Sequence, residues 1–343
     1  MSYRYLGNKT KLITKLLPYI QKYTQNGDTV VDLMSGTASV SEMLRANGYK
    51  VVSCDLMTYS THHAKVRLLS NDEPIFSTLN FNSYQSVLDY LNNLEPIEGI
   101  FFNEYSPEGQ PSNGTEPRKY FTSQNAKKID AINLQINYWT TNRLITDLEN
   151  AFLRHNLVLA ANKIANIAGT YGHYLSKWNK NAMMDLALRK AEFLSGYNTD
   201  HIVMQGEAEL LAKDITANLC YIDPPYMKRQ YAANYHIIET LARGDKPEAI
   251  GVSGLRPWRD QYSNFCSKVK IRDSFSKIFT TINCTQFLIS YSEDGLLSKE
   301  ELISFFSGFG EVDFFEIDYR RFKSNNSRLS KDMKEYLFYI KSK

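Results

Sequence analysis

The feature that most constrains the fold of this chain is a pair of adjacent prolines directly after a short apolar run. The run, Leu219–Ile222, leads into Asp223, Pro224, Pro225 and Tyr226. A residue before proline is restricted to extended backbone, and proline has no amide N–H with which to continue a sheet. The pattern therefore predicts a buried strand that ends with this run and leaves the sheet as an extended loop.

The loop also carries an uncommon set of hydrogen-bond acceptors. Because neither Pro224 nor Pro225 has an N–H, the Asp223 carboxylate and the Pro224 carbonyl accept without competition from a proline donor. Tyr226 adds an aromatic face immediately afterwards. A flat ring with an exocyclic amine fits this loop, since both amine hydrogens find acceptors and the ring stacks on the tyrosine. Adenine is such a ring.

Two strand patterns near the N-terminus flank a helix pattern. Residues 29–34 and 49–55 are apolar and rich in β-formers, whereas residues 40–46 have the pattern of a helix. Two parallel strands joined by a helix form a right-handed crossover unit. Ligands of such α/β sheets bind outside the carboxyl ends of the strands, where the first strand ends in a glycine turn and the second ends on Asp55.

The glycine turn comprises Met34, Ser35, Gly36 and Thr37. It lies between a strand and a helix, so its backbone N–H groups can receive an anionic ligand group. A plain connecting turn is an equally good interpretation of these residues alone. Asp55 suits the hydroxyl pair of a ribose, because a carboxylate accepts two hydrogen bonds. A helix-capping role is the alternative for Asp55.

The middle of the chain has mostly helical patterns, which extend to about residue 194. Strand patterns resume afterwards at 202–204, 219–222, 286–291, 312–317 and 336–340. The predicted fold is α/β: a Rossmann-like mixed sheet interrupted by a mostly helical insertion. Residues 1–60 and 200–343 are predicted to form the sheet domain, and residues 61–199 the insertion.

Composition limits the partners and the location that we expect. The chain has 343 residues, a net charge of +3 and four cysteines without Cys-x-x-Cys spacing. Reduced thiols favour a cytoplasmic protein, and the scattered histidines predict no metal site. The N-terminal residues 1–5 lack the apolar core of a signal peptide, and no apolar run approaches the length of a membrane span, so we expect no membrane partner. The small positive charge permits binding to nucleic acid without requiring it.

A further motif precedes the glycine turn and consists of Tyr5, Gly7, Asn8 and Lys9. An aromatic-x-Gly-x-Lys segment thus comes first, then the glycine turn, an acidic second strand, an insertion and finally the Asp-Pro-Pro-Tyr loop. In this order the chain resembles the Dam-type N6-adenine DNA methyltransferases of the alpha arrangement, which is typical of restriction–modification enzymes. The similarity extends over most of the chain.

Three positions depart from the pattern of that family. Asn8 replaces the second glycine of the first motif, Met34 replaces the usual phenylalanine, and Glu207 stands where aspartate is more frequent. All three substitutions are compatible with binding of the cofactor.

The resemblance implies a class I methyltransferase fold with S-adenosylmethionine as cofactor. The residues that it assigns to cofactor binding are Tyr5, Gly7, Asn8, Lys9, Asp32, Met34, Ser35, Gly36, Thr37, Asp55, Glu207 and Asp223. It assigns catalysis to Asp223, Pro224, Pro225 and Tyr226. They would hold an adenine flipped out of the duplex while its amine attacks the methyl carbon in line, with no covalent enzyme intermediate.

Double-stranded DNA is the implied substrate, and a cognate restriction endonuclease is a candidate partner. The candidates for DNA contacts are Lys228, Arg229, Tyr231, Arg118, Lys119 and Lys177. A solvated face is the alternative for most charged helix residues. Two other functions stay open on these residues. One is methylation of amino-cytosine in DNA or of a base in RNA, and the other is a non-catalytic module that binds the cofactor and DNA for regulation.

Overall fold

Seven strands form a single mixed sheet in the part of the chain that the structure, a computed structural model, describes: Lys9, residues 12–320 and residues 332–342. The strands are β1 (Thr29–Asp32), β2 (Lys50–Asp55), β3 (Ile202–Gln205), β4 (Leu219–Ile222), β5 (Gln286–Ser292), β6 (Gly310–Arg320) and β7 (Asp332–Ser342). Three residues predicted to contact the cofactor, Tyr5, Gly7 and Asn8, lie outside the described residues.

The order of the strands is β3-β2-β1-β4-β5-β7-β6. Neighbours among β1 to β5 are parallel, whereas β7 runs antiparallel to both β5 and β6. The predicted Rossmann-like mixed sheet is therefore confirmed. The chain order reverses between β1 and β4, and in sheets of this kind ligands bind beside the carboxyl ends of the strands at such a reversal.

Helices surround the sheet and also form most of the central part of the chain. In the described residues they are α1 (Ile13–Tyr23), α2 (Ser39–Ala46), α3 (Thr58–Leu68), α4 (Tyr84–Asn92), α5 (Ile100–Tyr105), α6 (Ser123–Thr141), α7 (Asp147–Ile164), α8 (Ala208–Leu211), α9 (Tyr231–Asn234), α10 (His236–Arg243), α11 (Ile271–Thr281) and α12 (Lys299–Phe306). Among them, none has both the length and the apolar character needed to cross a membrane.

Alternate residues of the central strands are buried on opposite faces of the sheet. In β4, Cys220 and Ile222 join an apolar cluster with α11 and α12, whereas Leu219 and Tyr221 join a second cluster with α1 and α2. Because strands covered on both faces bury every side chain, β4 is apolar throughout rather than alternating. This burial fixes the point at which the Asp-Pro-Pro-Tyr loop leaves the sheet.

The helical pattern predicted up to about residue 194 ends earlier, at the last residue of α7. Beyond it, residues 165–200 contain only a short 3-10 helix, Lys180–Met183. Asparagine side chains replace helical hydrogen bonds here. The Asn166 amide donates to the Leu175 carbonyl (2.9 Å), and Asn179 Oδ1 accepts from the Ala182 N–H (3.0 Å). Such local side-chain bonds compete with helix formation, and the apolar periodicity did not reveal them.

The chain divides into two compact units. Among the described residues, the helical unit consists of Ser70–Ser195 and Tyr231–Asp260, and the sheet unit contains the rest. The segment Tyr231–Asp260 joins the helical unit because α10 packs on α7, where Arg154 donates to the Leu241 carbonyl (2.9 Å). This division places α3 with the sheet and Tyr231–Asp260 with the helices, in both cases unlike the predicted boundaries.

Candidate active site

The turn after β1 and the loop after β4 begin side by side. Asp32 lies opposite Tyr221 in the parallel register, and the Leu33 N–H donates to the Tyr221 carbonyl (3.0 Å). Met34 and Asp223 follow two residues after Asp32 and Tyr221, respectively. The two sequence motifs therefore meet at the reversal of strand order, in the sheet unit.

The glycine turn is fixed to the end of β2 by its own backbone. The Ser35 N–H donates to the Cys54 carbonyl (2.9 Å), and the Gly36 N–H donates to Asp55 Oδ2 (2.7 Å). Gly36 has a φ of +53°, a left-handed conformation that favours glycine. Two of the turn's N–H groups are thus already bonded. The idea that they receive an anionic ligand group is wrong for Ser35 and Gly36.

Asp55 links three loops at the edge of the sheet. Its second oxygen, Oδ1, accepts from the Met57 N–H (2.8 Å), and its backbone carbonyl accepts from the Gly206 N–H (3.0 Å). The two side-chain bonds fix the orientation of the carboxylate, whose oxygens are acceptors of the kind that ribose hydroxyls require. Glu207 follows Gly206 and is exposed, at the start of α8. Asp55 and Glu207 therefore lie near each other on neighbouring strand ends.

Asp32 lies under the turn rather than on its surface. Its side chain is 1% exposed and accepts a hydrogen bond from the Ser41 hydroxyl on α2 (2.7 Å). Burial raises the pKa of Asp32 to about 7, and the Ser41 hydrogen bond opposes that shift. Asp32 thus supports the turn from below.

Ser35 supplies a polar atom that has no partner within the described chain. Its hydroxyl is buried and makes no hydrogen bond there, whereas the neighbouring Thr37 hydroxyl donates to Ser39 (3.3 Å). Buried polar atoms are normally satisfied, so an orphan hydroxyl indicates a ligand or water. Together with the acceptor capacity of Asp55, this hydroxyl fits the polar cofactor that the sequence implied.

Asp223 belongs to a buried group of charges. The Lys9 ammonium lies 3.1 Å from Asp223 Oδ1 and 2.5 Å from Glu335 Oε1. The Ser290 hydroxyl donates to the same glutamate oxygen. Glu335 and Ser290 were not predicted from the sequence, because a polar residue within a strand carries no signal of its partner on another strand. We call Lys9, Asp223, Glu335 and Ser290 the lysine cluster.

The charged groups of the lysine cluster shift one another's pKa values. Burial raises the pKa of the Asp223 carboxyl above its ordinary range, while Lys9 opposes this shift and Glu335 adds to it. For Lys9, burial works against the charge, but the two carboxylates outweigh it and hold the pKa of the ammonium well above its usual value. Lys9 therefore stays a cation, and Asp223 becomes a more basic carboxylate than an exposed aspartate.

The rest of the loop is held at its far end. Pro224 is buried, and the Tyr226 ring lies edge-on to Tyr291 of β5 with 6.3 Å between centroids. The Tyr226 carbonyl accepts from the Leu296 N–H (3.0 Å). Both ends of the loop are thus anchored to neighbouring strands, which orients a half-buried aromatic ring beside Asp223.

Two exposed cations follow the loop, Lys228 and Arg229. The chain is tied down again at Gln230, whose side-chain amide exchanges two hydrogen bonds with the Ser263 backbone (2.9 and 2.8 Å). The other DNA-contact candidates belong to the helical unit. Lys119 and Lys177 are exposed there, and Tyr231 is half-buried with its ring 5.8 Å from that of Tyr235.

Arg118 differs from the other candidates because it has no exposed surface. It forms an ion pair with Glu104 (2.8 Å) and donates to the carbonyls of Val252 (2.8 Å) and Gly251 (2.9 Å). A guanidinium whose donors bind the protein interior has none left for phosphate. The predicted DNA contact of Arg118 is therefore wrong for this structure, and Arg118 stabilises the turn around residue 252.

No group of three or more His, Cys, Asp or Glu side chains that could hold a metal ion occurs among the described residues. The four cysteines are buried.

Comparison with known proteins gives the family. A family model described as D12 class N6 adenine-specific DNA methyltransferase matches residues 5–305, which include the turn and the loop. The chain belongs to this family. The matched residues include parts of both units, and the adenine-specific description agrees with the ring that the loop was predicted to receive.

Three curated relatives match nearly the whole of this chain. It is 36% identical to the Type II methyltransferase M.FokI of Planomicrobium okeanokoites, over 98% of this chain and 52% of that protein. It is 33% identical to the Modification methylase StsI of Streptococcus sanguinis, over 99% and 52%. It is 32% identical to the Type II methyltransferase M.NlaIII of Neisseria lactamica, over 94% and 93%. The chain thus spans about half the length of the first two relatives.

Proposed function

We propose that the chain transfers a methyl group from S-adenosylmethionine to the N6 amine of a specific adenine in double-stranded DNA, as the modification enzyme of a type II restriction–modification system. Membership in the D12 family supports the adenine and the DNA, and the names of the relatives support the modification role. The order of motifs favours the Dam-type alpha arrangement. A cognate restriction endonuclease is the proposed partner.

The cofactor would be held at the carboxyl ends of β1 and β2. Asp55 would accept the ribose hydroxyls, the orphan Ser35 hydroxyl would meet a polar group of the cofactor, and exposed Glu207 would lie by its adenine. S-adenosylmethionine supplies an electrophilic methyl group when bound. The Gly36–Asp55 hydrogen bond positions this acid before any ligand arrives.

One observation carries the proposal: an Asp-Pro-Pro-Tyr loop that leaves a buried strand beside the glycine turn, with an ammonium 3.1 Å from its carboxylate. The amine of adenine is a weak nucleophile because its lone pair is delocalised into the ring. Hydrogen bonds from its two N–H groups to Asp223 and to the Pro224 carbonyl would localise that lone pair. Fixing the amine in this orientation also removes much of the entropic barrier.

Tyr226 would stabilise the adenine outside the duplex. Flipping a paired base costs a few kcal/mol, and stacking on an aromatic ring contributes about 1–3 kcal/mol per base. The two magnitudes are similar, so one tyrosine offsets much of the cost. We propose that the helical unit contacts the duplex, with Lys119 and Lys177 on its exposed surface and Lys228 and Arg229 beside the loop.

The proposal is tested by expressing the full chain in a host that lacks DNA methylation and by mapping modified bases in the genome. We expect N6-methyladenine at one short recurring sequence, and none when Asp223→Ala is expressed at the same level. N4-methylcytosine would contradict the adenine assignment. Binding of cofactor and DNA without any modified base would instead indicate a non-catalytic module.

A further inference from the structure

The lysine cluster contains one cation for two carboxylates. Lys9 lies closer to Glu335 (2.5 Å) than to Asp223 (3.1 Å), and its side chain is only 6% exposed. Water therefore screens little of the interaction, and the ammonium is divided between the two acids. The share that Glu335 takes determines how strongly Lys9 pairs with Asp223.

Glu335 is held where it can compete for the ammonium. It lies on β7, opposite Ser292 of β5, and is 2% exposed. Ser290, two residues earlier on β5, is its diagonal neighbour on the same face of the sheet and donates to the oxygen that contacts Lys9. The carboxylate is thus fixed by two donors, so it does not turn away from the cluster.

We propose that Glu335 is a positioning residue for methyl transfer: it draws Lys9 away from full pairing with Asp223, so that the Asp223 carboxylate stays a strong acceptor for the substrate amine. A lysine paired with Asp223 alone would stabilise the negative charge of that carboxylate more fully and so make it a weaker acceptor for the amine. Lys9 still orients Asp223, but Glu335 limits the strength of that contact. This inference rests on the proposed function of Asp223.

Two further titratable groups interact with the Asp223 carboxylate. Tyr221 of β4 and Asp32 of β1 interact with the carboxylate electrostatically, in addition to Lys9 and Glu335. Asp32 is an acid and adds to the repulsion that Glu335 exerts. Glu335 acts on Asp223 in two ways, through the ammonium that both carboxylates share and through its own negative charge, and both raise the pKa of the Asp223 carboxyl.

The test compares Glu335→Gln with the wild type in two measurements. The first is the titration of the Asp223 carboxyl by NMR on protein with 13C-labelled aspartate carboxyls, where Asp223→Asn identifies the resonance. The second is the pH profile of kcat for N6-methyladenine formation on duplex DNA. We expect Glu335→Gln to move both the titration and the acid limb of the profile to lower pH by about one unit, because Asp223 gains the whole of the Lys9 charge.

Glu316→Gln is the matched control, since it removes a carboxylate from β6 that pairs with Lys299 and Lys334 away from Lys9. In this variant the Asp223 carboxyl should titrate as it does in the wild type. Ser290→Ala provides a second variant if Glu335→Gln does not fold. Loss of the hydroxyl donor lets the Glu335 carboxylate turn partly away from Lys9, so the shift should have the same direction and a smaller size.

Unchanged titration of Asp223 in a folded Glu335→Gln protein overturns the inference, whatever the activity. Absence of N6-methyladenine with the wild-type enzyme would overturn the proposed function instead, and the titration would still report on the cluster. A lower kcat with an unmoved pH profile would show that Glu335 is merely structural.

Discussion

The aromatic part and the acidic part of the proposed site belong to two different side chains, Tyr226 and Asp223. Tyr226 follows the two prolines, and its half-buried ring packs edge-on to Tyr291. Asp223 instead gains its properties from Lys9 and Glu335. The ring and the carboxylate can therefore be tested independently.

Replacing Tyr226 by Ala should lower kcat on duplex DNA by about 5- to 150-fold, the loss that corresponds to 1–3 kcal/mol of stacking. Tyr226→Phe should stay close to the wild type, since the ring rather than the hydroxyl holds the base. At saturating DNA, the defect of Tyr226→Ala should shrink when the target adenine is unpaired, because flipping then costs little. Equal losses for Ala and Phe would assign the role to the hydroxyl.

Neighbouring cations in the helical unit have different roles. Arg118→Leu should destabilise the protein by about 3–5 kcal/mol, because it leaves Glu104 buried without its partner. Exposed Lys119→Ala should change stability by less than about 0.5 kcal/mol. Urea unfolding measures both effects.

For DNA binding, Lys119→Ala should have the larger effect and Arg118→Leu the smaller one. Lys119→Ala should reduce the slope of log affinity against log salt by about one if the lysine contacts a phosphate. Arg118→Leu should leave that slope unchanged in the folded fraction. A reduced slope for Arg118→Leu would contradict the buried role of this residue.

At the scale of elements, the turn between β1 and α2 holds the strand ends together. Gly36 adopts a left-handed backbone and bonds Asp55, so the turn and the end of β2 form one rigid edge. A rigid edge lets the cofactor bind without first ordering a loop.

Gly36→Ala should cost about 1–2 kcal/mol of stability, because an L-residue is strained at a φ of +53°. It should also weaken binding of S-adenosylhomocysteine in calorimetry, since relief of the strain moves the backbone N–H that donates to Asp55. Gly169→Ala is the control, as a Cβ there meets no atom within 4 Å and the φ is not left-handed. If both variants bind the product equally well, the turn does not position the acid.

At the scale of the whole molecule, buried acids make stability depend on pH. Asp32 has a pKa of about 7 in the folded state, above its value in an unfolded chain. Between about pH 4 and 7 the folded state binds more protons at this site, so stability is lost as the pH rises. This difference in pKa corresponds to a decrease of about 4 kcal/mol in the free energy of unfolding over that pH range.

Asp32→Asn should therefore unfold at a higher urea concentration than the wild type at pH 8, and lose this advantage at pH 5. The amide keeps an acceptor for Ser41 and removes the buried charge. Asp200→Asn, whose side chain is 76% exposed, should follow the wild type at both pH values. If the urea midpoints of Asp32→Asn and wild type differ by the same amount at pH 5 and pH 8, Asp32 is not the acid that makes stability depend on pH.

The sequence alone determined the features that depend on local rules. Proline geometry predicted that β4 ends before Asp223, and the two strand patterns around a helix predicted the crossover unit that contains Gly36 and Asp55. These predictions hold because φ restrictions and apolar patterning act over a few residues. They were sufficient for the fold class, and with the order of motifs they indicated the family.

Only the tertiary structure decided which residues meet across long stretches of chain. Lys9 and Glu335 are 326 positions apart and share one hydrogen bond, because β7 inserts beside β5. Arg118 is buried against the turn at Val252, although its sequence context is that of a surface cation. Such contacts depend on strand order and packing, which the local sequence around either partner does not reveal. The loop that begins at Asp223 was therefore predictable, whereas the charges that tune it were not.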